Sequence, residues 1–197
     1  MVIFVKKAGK ISIFPRFLLS LPNQNREIMN FLELVKSRYS VRSFQERDVE
    51  PEKLAYLLEC ARLAPSACNR QPWRYLVVRD KQQREALCGA AERFTWMHTA
   101  PLFIVVCTDD SEAWVRRSDN HNHSDVDAAI TTEHLCLAAV EQGLGSCWIC
   151  AFDVEKCREA LQIDPALRPV VILPIGYPAV EAHDKIRKPL HEIKTEI

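Results

Sequence analysis

The sequence predicts a single domain in which helices pack around strands that are buried in the core. The chain has 197 residues and 48% of them are hydrophobic, which is enough for one packed core. Several helical patterns alternate with short apolar runs. The run from 100 to 107 is almost continuously apolar, as expected of a strand that is covered on both faces.

Composition narrows the class of function. The 26 basic and 26 acidic residues cancel, which argues against a protein that binds nucleic acid or a membrane surface. No apolar run is long enough to span a bilayer. The eight cysteines mostly lie in apolar runs and no secretory signal precedes them, so we expect a reduced, cytoplasmic protein. The few clustered cations therefore suit a small anionic ligand.

The first 28 residues show no sequence pattern that continues into the rest of the chain. Three lysines precede an apolar stretch that faintly resembles a signal peptide, but Pro15 and Arg16 interrupt it and no cleavage site follows. We therefore predict a disordered leader over 1–28 and one domain over 29–197. A tail that lies across a partner subunit is the alternative.

From Asn30 the pattern is helical, with Phe31, Leu34 and Val35 at core spacing and Asn30 as a possible cap. The segment Arg38-Tyr-Ser-Val-Arg42 follows. If it is extended, its first, third and fifth side chains lie on one side and form a site for a phosphate. Without other evidence, a solvated loop with surface arginines is the alternative.

A second helix, beginning near Pro51, leads into residues 61–73 (Ala-Arg-Leu-Ala-Pro-Ser-Ala-Cys-Asn-Arg-Gln-Pro-Trp). Pro65 and Pro72 bracket a short loop that is rich in donors and acceptors. Polar loops between rigid elements often hold ligands. An ordinary helix-to-strand connection is the alternative reading.

Further along, 81–93 reads as a structural helix and 125–142 as the longest helix, ended by Gly143 and Gly145. The polar stretch between them holds His121 and His123, whose spacing a metal site could use. No further cluster of potential metal ligands accompanies these histidines, so an exposed loop is favoured.

Residues 146–152 (Ser-Cys-Trp-Ile-Cys-Ala-Phe) contain Cys-x-x-Cys within a strand-like pattern. No second cysteine pair supports zinc, and no helix N-terminus supports a thioredoxin-like site. A redox sensor using Cys147 and Cys150 remains open. Beyond a last strand over 168–175, Lys185 and Arg187 fall on one side of the tail if it is extended.

Three of these stretches together resemble the nitroreductase family. They are Arg-x-Ser-x-Arg at 38–42, Ala-Pro-Ser-x-x-Asn-x-Gln-Pro-Trp at 64–73, and Gly-Leu-Gly-x-x-Trp-Ile-x-Ala-Phe at 143–152, where Cys150 replaces the usual glycine. The tail is similar to the family's closing Lys/Arg-x-Arg-x-Pro. The resemblance covers roughly 30–193.

The resemblance implies an α+β fold, a three-layer α/β/α sandwich with a mostly antiparallel central sheet, in an intertwined homodimer with FMN at each interface. It implies that FMN takes hydride from NADH or NADPH and passes electrons to nitroaromatic, quinone or similar acceptors in a ping-pong cycle. No side-chain acid or base is implied. The implied cofactor-binding residues are Arg38, Tyr39, Ser40, Arg42, Pro65, Ser66, Asn69, Gln71, Ile149, Cys150, Ala151, Lys185 and Arg187.

Three alternatives to this reductase stay open. One is a specialised FMN enzyme of the same superfamily, either a dehalogenase or a flavin-fragmenting enzyme. Another is a non-catalytic protein that senses redox state through flavin or thiols, and a cofactor-free zinc or thiol protein is a more distant third.

Overall fold

The structure is a computed structural model that describes residues 29–197. The leader predicted over 1–28 lies outside the described residues. The strands are β1 (Trp73–Val78), β2 (Leu102–Thr108), β3 (Val115–Arg116), β4 (His121–Asn122), β5 (Gly145–Ser146) and β6 (Arg168–Gly176). The helices are α1 (Phe31–Ser37), α2 (Pro51–Arg62), α3 (Lys81–Cys88), α4 (Ser124–Glu141), α5 (Val154–Leu161) and α6 (Leu190–Ile193).

The main sheet has the strand order β1-β2-β6-β5, and each neighbouring pair is antiparallel. β3 and β4 form a separate hairpin. The central strand β2 is buried along its whole length, as its continuous apolar sequence predicts. The α+β class with an antiparallel sheet is therefore confirmed.

Alternate side chains of β2 point into two separate cores. Phe103, Val105 and Cys107 belong to a cluster that also contains residues of α3 and α5. Leu102, Ile104 and Val106 belong to a cluster with residues of α2 and α4. Because successive side chains of a strand face opposite sides, helices cover both faces of the sheet and make three layers.

Local sequence explains where four of the helices begin. Asn30 and Glu33 form a capping box at the start of α1, and Pro51 occupies the first turn of α2. Asp80 and Asp153 accept backbone hydrogen bonds at the starts of α3 and α5. These capping residues and the proline determine the first turns of α1, α2, α3 and α5.

The prediction that α1 contributes core residues is wrong for the described chain. None of its residues is buried, and the Phe31 side chain is 70% exposed. The helix lies beside α4 at the outer surface, where Leu34 is half-buried and Phe31, Leu32 and Val35 stay exposed within residues 29–197. Across that same part of the chain, no helix is both long and apolar enough to cross a membrane.

Candidate functional site

The segment 38–42 lies along the β5 edge of the sheet. Ser40 forms a parallel bridge with Ser146, and the Val41 N–H donates to the Ser146 carbonyl at 3.0 Å. Val41 is buried and a Cβ on Gly145 would lie 2.3 Å from its Cγ2 atom, so only glycine allows this approach. The segment is therefore extended, with Arg38, Ser40 and Arg42 alternating with the residues that anchor it.

The tail crosses the end of α1 next to this segment. The Tyr39 hydroxyl donates to the Val180 carbonyl at 2.6 Å. The Lys185 ammonium donates to the carbonyls of Val35, Lys36 and Arg38, the last at 2.7 Å. These three bonds use all three protons of the ammonium group and cap the last turn of α1. Lys185 can therefore attract an anion through its positive charge, but it has no N–H left to donate to one.

Arg38, Lys185 and Arg187 come together where the segment and the tail meet. Arg42 joins Arg38 beside Cys147, and these four residues are called the cation cluster. Lys185 has a lowered pKa, first because burial disfavours its charge and then because Arg38 and Arg187 repel it. Among residues 29–197, no carboxylate forms an ion pair with Arg38, Arg42, Lys185 or Arg187. A cation cluster without acidic partners favours an anionic ligand, and its residues fit a phosphate.

The segment 147–151 leaves the sheet beside this cluster. Ile149 exchanges two backbone hydrogen bonds with Ile172, at 3.1 and 2.9 Å, and then the chain turns away. Cys150 and Ala151 are exposed, and no hydrogen bond formed within 29–197 uses either N–H. The Trp148 indole N–H donates to the Cys150 sulfur at 3.0 Å. Two backbone donors are thus available to acceptor atoms of a ligand.

The two cysteines of Cys-x-x-Cys have different environments. Cys147 is buried behind Ser40 and Arg42, and burial raises the pKa of its thiol despite those two neighbours. Cys150 is exposed, and both thiols are free. Reactive thiols combine exposure with a low pKa, so Cys147 lacks both properties that a thiol switch needs.

The polar loop 64–72 has an unusual backbone. Its short 3₁₀ turn, Ala67–Asn69, is followed closely by Gln71, and φ is +50° at Cys68, +54° at Asn69 and +51° at Gln71. Such angles are unfavourable for most non-glycine residues, though less so for asparagine, and persist where surrounding contacts hold them. The Gln71 N–H donates to the Ser66 hydroxyl at 2.9 Å and its amide donates to Asn69 Oδ1 at 2.9 Å. Pro65 is exposed at the loop's start.

A residue outside the predicted set anchors this loop. Asp127 on α4 accepts a hydrogen bond from the Ala67 N–H at 2.9 Å and is only 1% exposed. Sequence reasoning missed it, because an acidic residue in the first turns of a helix is ordinarily explained by the helix dipole.

The described chain does not bring all predicted site residues together. The loop leads into β1 at one edge of the sheet, whereas 38–42 lies along β5 at the other edge and 147–151 continues from β5 beside β6. Three strand spacings separate these edges, which is about 14 Å. Within 29–197, no hydrogen bond joins the loop to the other two segments. The chain thus presents two half-sites.

The two histidines between β2 and α4 lie at the hairpin of β3 and β4. The His121 and His123 rings are 4.8 Å apart, and the Trp114 ring is 4.7 Å from His123. No group of three or more potential metal ligands occurs in the part of the chain that the structure describes. The pair is held by these ring contacts and by a hydrogen bond between His123 Nδ1 and the His121 carbonyl at 3.1 Å.

The chain matches the model of the nitroreductase family over residues 35–94 and 86–177. A solved nitroreductase-family structure from Clostridium difficile superposes with a TM-score of 0.79, at 40% identity over 85% of this chain and 98% of that one. A curated protein of Methanothermobacter thermautotrophicus, named as a candidate NADH dehydrogenase/NAD(P)H nitroreductase, is 31% identical over 77% of this chain and 78% of its own length.

Other relatives carry names that describe their chemistry. A structure described as an FMN-dependent nitroreductase of Clostridium difficile superposes with a TM-score of 0.72, at 28% identity over 83% of this chain and 99% of that one. An FMN reductase [NAD(P)H] of Bacillus subtilis is 29% identical over 80% of this chain and 70% of its own length. An iodotyrosine deiodinase of Thermotoga neapolitana is 32% identical over 74% of this chain and 87% of its own length.

Proposed function

The chain belongs to the nitroreductase family, and we propose that within this family it reduces nitroaromatics, quinones or similar small oxidised acceptors. It is an NAD(P)H-dependent oxidoreductase that uses FMN. When bound, FMN supplies the electron chemistry, accepting a hydride from NAD(P)H and passing electrons to the acceptor. The chain's own residues bind, orient and polarise it.

The cation cluster that lacks acidic partners is the observation that carries the binding assignment. In our proposal the FMN phosphate binds Arg38, Ser40 and Arg42, with positive charge added by Lys185 and Arg187. Arginine binds phosphate through paired charge-assisted hydrogen bonds. The fixed end of α1 places these groups before the ligand arrives, which reduces the entropy cost of binding.

The exposed N–H groups of Cys150 and Ala151 are assigned to the isoalloxazine ring. Such fixed donors stabilise negative charge that develops on the ring during reduction, because they need no reorganisation. We assign Ser66 and Asn69 to the same ring from the opposite half-site. No side-chain acid or base is assigned, since the solvent can supply protons at an open site.

We propose a homodimer in which each site combines the two half-sites of different protomers. The loop 64–72 and the segment 38–42 of one chain lie at opposite edges of its sheet. In addition, the uncovered face of α1 adjoins an apolar groove of about 570 Å³ between α1 and α4, lined by Phe31, Leu34, Ile130, His134 and Leu137 among others. An uncovered apolar surface of this kind is typical of an interface.

Steady-state kinetics test the choice of acceptor. We expect NAD(P)H oxidation with a 1,4-quinone and with a nitroaromatic, and parallel double-reciprocal plots when both substrates are varied. Intersecting plots would contradict the ping-pong order. Release of iodide from iodotyrosine, without turnover of the quinone or the nitroaromatic, would instead favour a dehalogenase.

We also propose a cytoplasmic location. All eight cysteines are free in the structure, which supports a reducing compartment.

A further inference from the structure

Asp127 is a buried carboxylate that the proposed site residues do not include. It is the fourth residue of α4, and it is 1% exposed. Its Oδ1 atom accepts a hydrogen bond from the Ala67 N–H at 2.9 Å, and its Oδ2 atom has no partner within 29–197. Burying a carboxylate with an unused oxygen is costly, so its position needs a reason.

The same face of α4 holds both flanks of the polar loop. Thr131, one turn after Asp127, donates from its hydroxyl to the Ala61 carbonyl at 2.9 Å near the end of α2. The Thr131 hydroxyl also forms a hydrogen bond with the Tyr75 hydroxyl on β1. Residues four apart on a helix lie on one face, so α4 fixes the element before the loop, the loop itself and the strand after it.

The loop needs such an anchor. Its backbone has positive φ at Cys68, Asn69 and Gln71, and such an angle is of the order of 1 kcal/mol unfavourable at Cys68 and Gln71 and less so at asparagine. The hydrogen bonds inside the loop, from Gln71 to Ser66 and to Asn69, shape it but do not attach it to the core. At the loop's end the Pro72 carbonyl accepts a hydrogen bond from the Asp109 N–H at 2.8 Å, and the bond from Ala67 to Asp127 attaches the strained turn itself. The nearby N-terminus of α4 stabilises the negative charge of Asp127.

We propose that Asp127 is a positioning residue, which fixes the strained loop so that Ser66 and Asn69 are presented to the flavin ring before the ring binds. This inference rests on the proposed function, in which the loop contacts FMN. Asp127 itself acts through the loop backbone.

The test compares four variants of the full chain with the wild type. Asp127→Ala removes the acceptor, and Ala67→Pro removes the donor of the same bond, since proline has no N–H. Asp127→Asn keeps an oxygen that can accept this bond. Thr132→Val is the matched control, because Thr132 is equally buried on α4 but donates only within the helix, to the Ala128 carbonyl.

Two readouts are needed, and the first does not depend on the flavin. Hydrogen exchange of a peptide covering 64–72, measured without FMN, should speed up most in Asp127→Ala, less in Asp127→Asn, which keeps the acceptor without its charge, and stay at the wild-type rate in Thr132→Val. The second readout is the FMN dissociation constant of the holoprotein after dilution. It should rise about tenfold in Asp127→Ala, as expected when one charge-assisted hydrogen bond is lost.

Ala67→Pro should weaken FMN binding to a similar degree, and the double variant should be no weaker than either single variant, because both remove one interaction. Ala67→Pro also keeps the test available if Asp127→Ala does not fold. Equal FMN affinity in Asp127→Ala and the wild type, or an equal loss in Thr132→Val, would overturn the inference alone. A wild-type chain that binds no FMN would overturn the proposed function and this inference together.

Discussion

Replacing Arg38 by alanine should weaken FMN binding without affecting the binding of riboflavin. Arg38 is half-buried, and its positive charge repels that of Lys185 and helps to lower the pKa of Lys185. The substitution leaves the Arg38 backbone carbonyl, which accepts a hydrogen bond from Lys185 at 2.7 Å, so the cap of α1 is preserved. The perturbation is thus confined to the guanidinium.

The expected magnitude follows from the contact that would be lost. A hydrogen bond to a charged group contributes about 1.5–3 kcal/mol, and every 1.4 kcal/mol is a factor of ten in affinity. The FMN dissociation constant should therefore rise roughly tenfold to a hundredfold. For Arg42→Ala we expect the lower end, because Arg42 is exposed and solvent screens its charge.

The assay is equilibrium binding of FMN and of riboflavin at two salt concentrations. Riboflavin lacks the phosphate, so its affinity should be the same in the wild type and in Arg38→Ala. Arg62→Ala is the control, because Arg62 pairs with Glu59 on α2 at 2.7 Å and is far in the chain from the cluster. Equal losses for FMN and riboflavin would show that Arg38 acts through the fold, and unchanged FMN affinity would refute the phosphate site.

Three other perturbations test separate parts of the structure. Cys150→Gly removes a thiol next to the backbone N–H groups that are assigned to the ring and should shift the flavin potential or the turnover, whereas an unchanged potential and turnover would contradict a role for the thiol. Phe31→Glu places a charge on the uncovered face of α1 and should shift the proposed dimer towards monomer in sedimentation, and an undisturbed dimer would exclude that face. Hydrogen bonding, chiefly from the Tyr177 hydroxyl, lowers the pKa of Glu50 to about 2, so Glu50 stabilises the fold above its unfolded pKa and this contribution is lost as the pH falls towards 2. The difference in free energy of unfolding between the wild type and Glu50→Gln should therefore shrink from pH 6 to pH 2, and a constant difference in denaturant titrations would contradict it.

Local patterns in the sequence predicted the elements that present the site. The alternation of Arg38, Ser40 and Arg42 required an extended segment, and the bridge from Ser40 to Ser146 confirms that conformation. The continuous apolar run that became β2 predicted a strand covered on both faces. These predictions succeed because they depend on neighbours in the chain and on burial, which the side-chain pattern records directly.

The remaining features depend on contacts between distant parts of the chain. Asp127 is 60 positions from Ala67, and nothing near either residue indicates their hydrogen bond. The tail sequence suggested that Lys185 points at a ligand, whereas the structure places its ammonium on the carbonyls that end α1. Apolar residues at core spacing in α1 predict that this face is covered, but the spacing does not say whether the cover comes from the same chain or from another. Phe31 is exposed in the described chain, so the prediction of a core position within this chain failed there.

The proposed flavin chemistry is tested by the visible spectrum of the purified protein in the absence of oxygen, before and after NADH or NADPH is added. We expect a yellow protein whose flavin absorption bleaches rapidly with at least one donor and returns when a quinone is added. A colourless protein that takes up no FMN would contradict both the cation cluster as a phosphate site and the proposed reaction. A yellow protein that neither donor bleaches would contradict the reductase cycle.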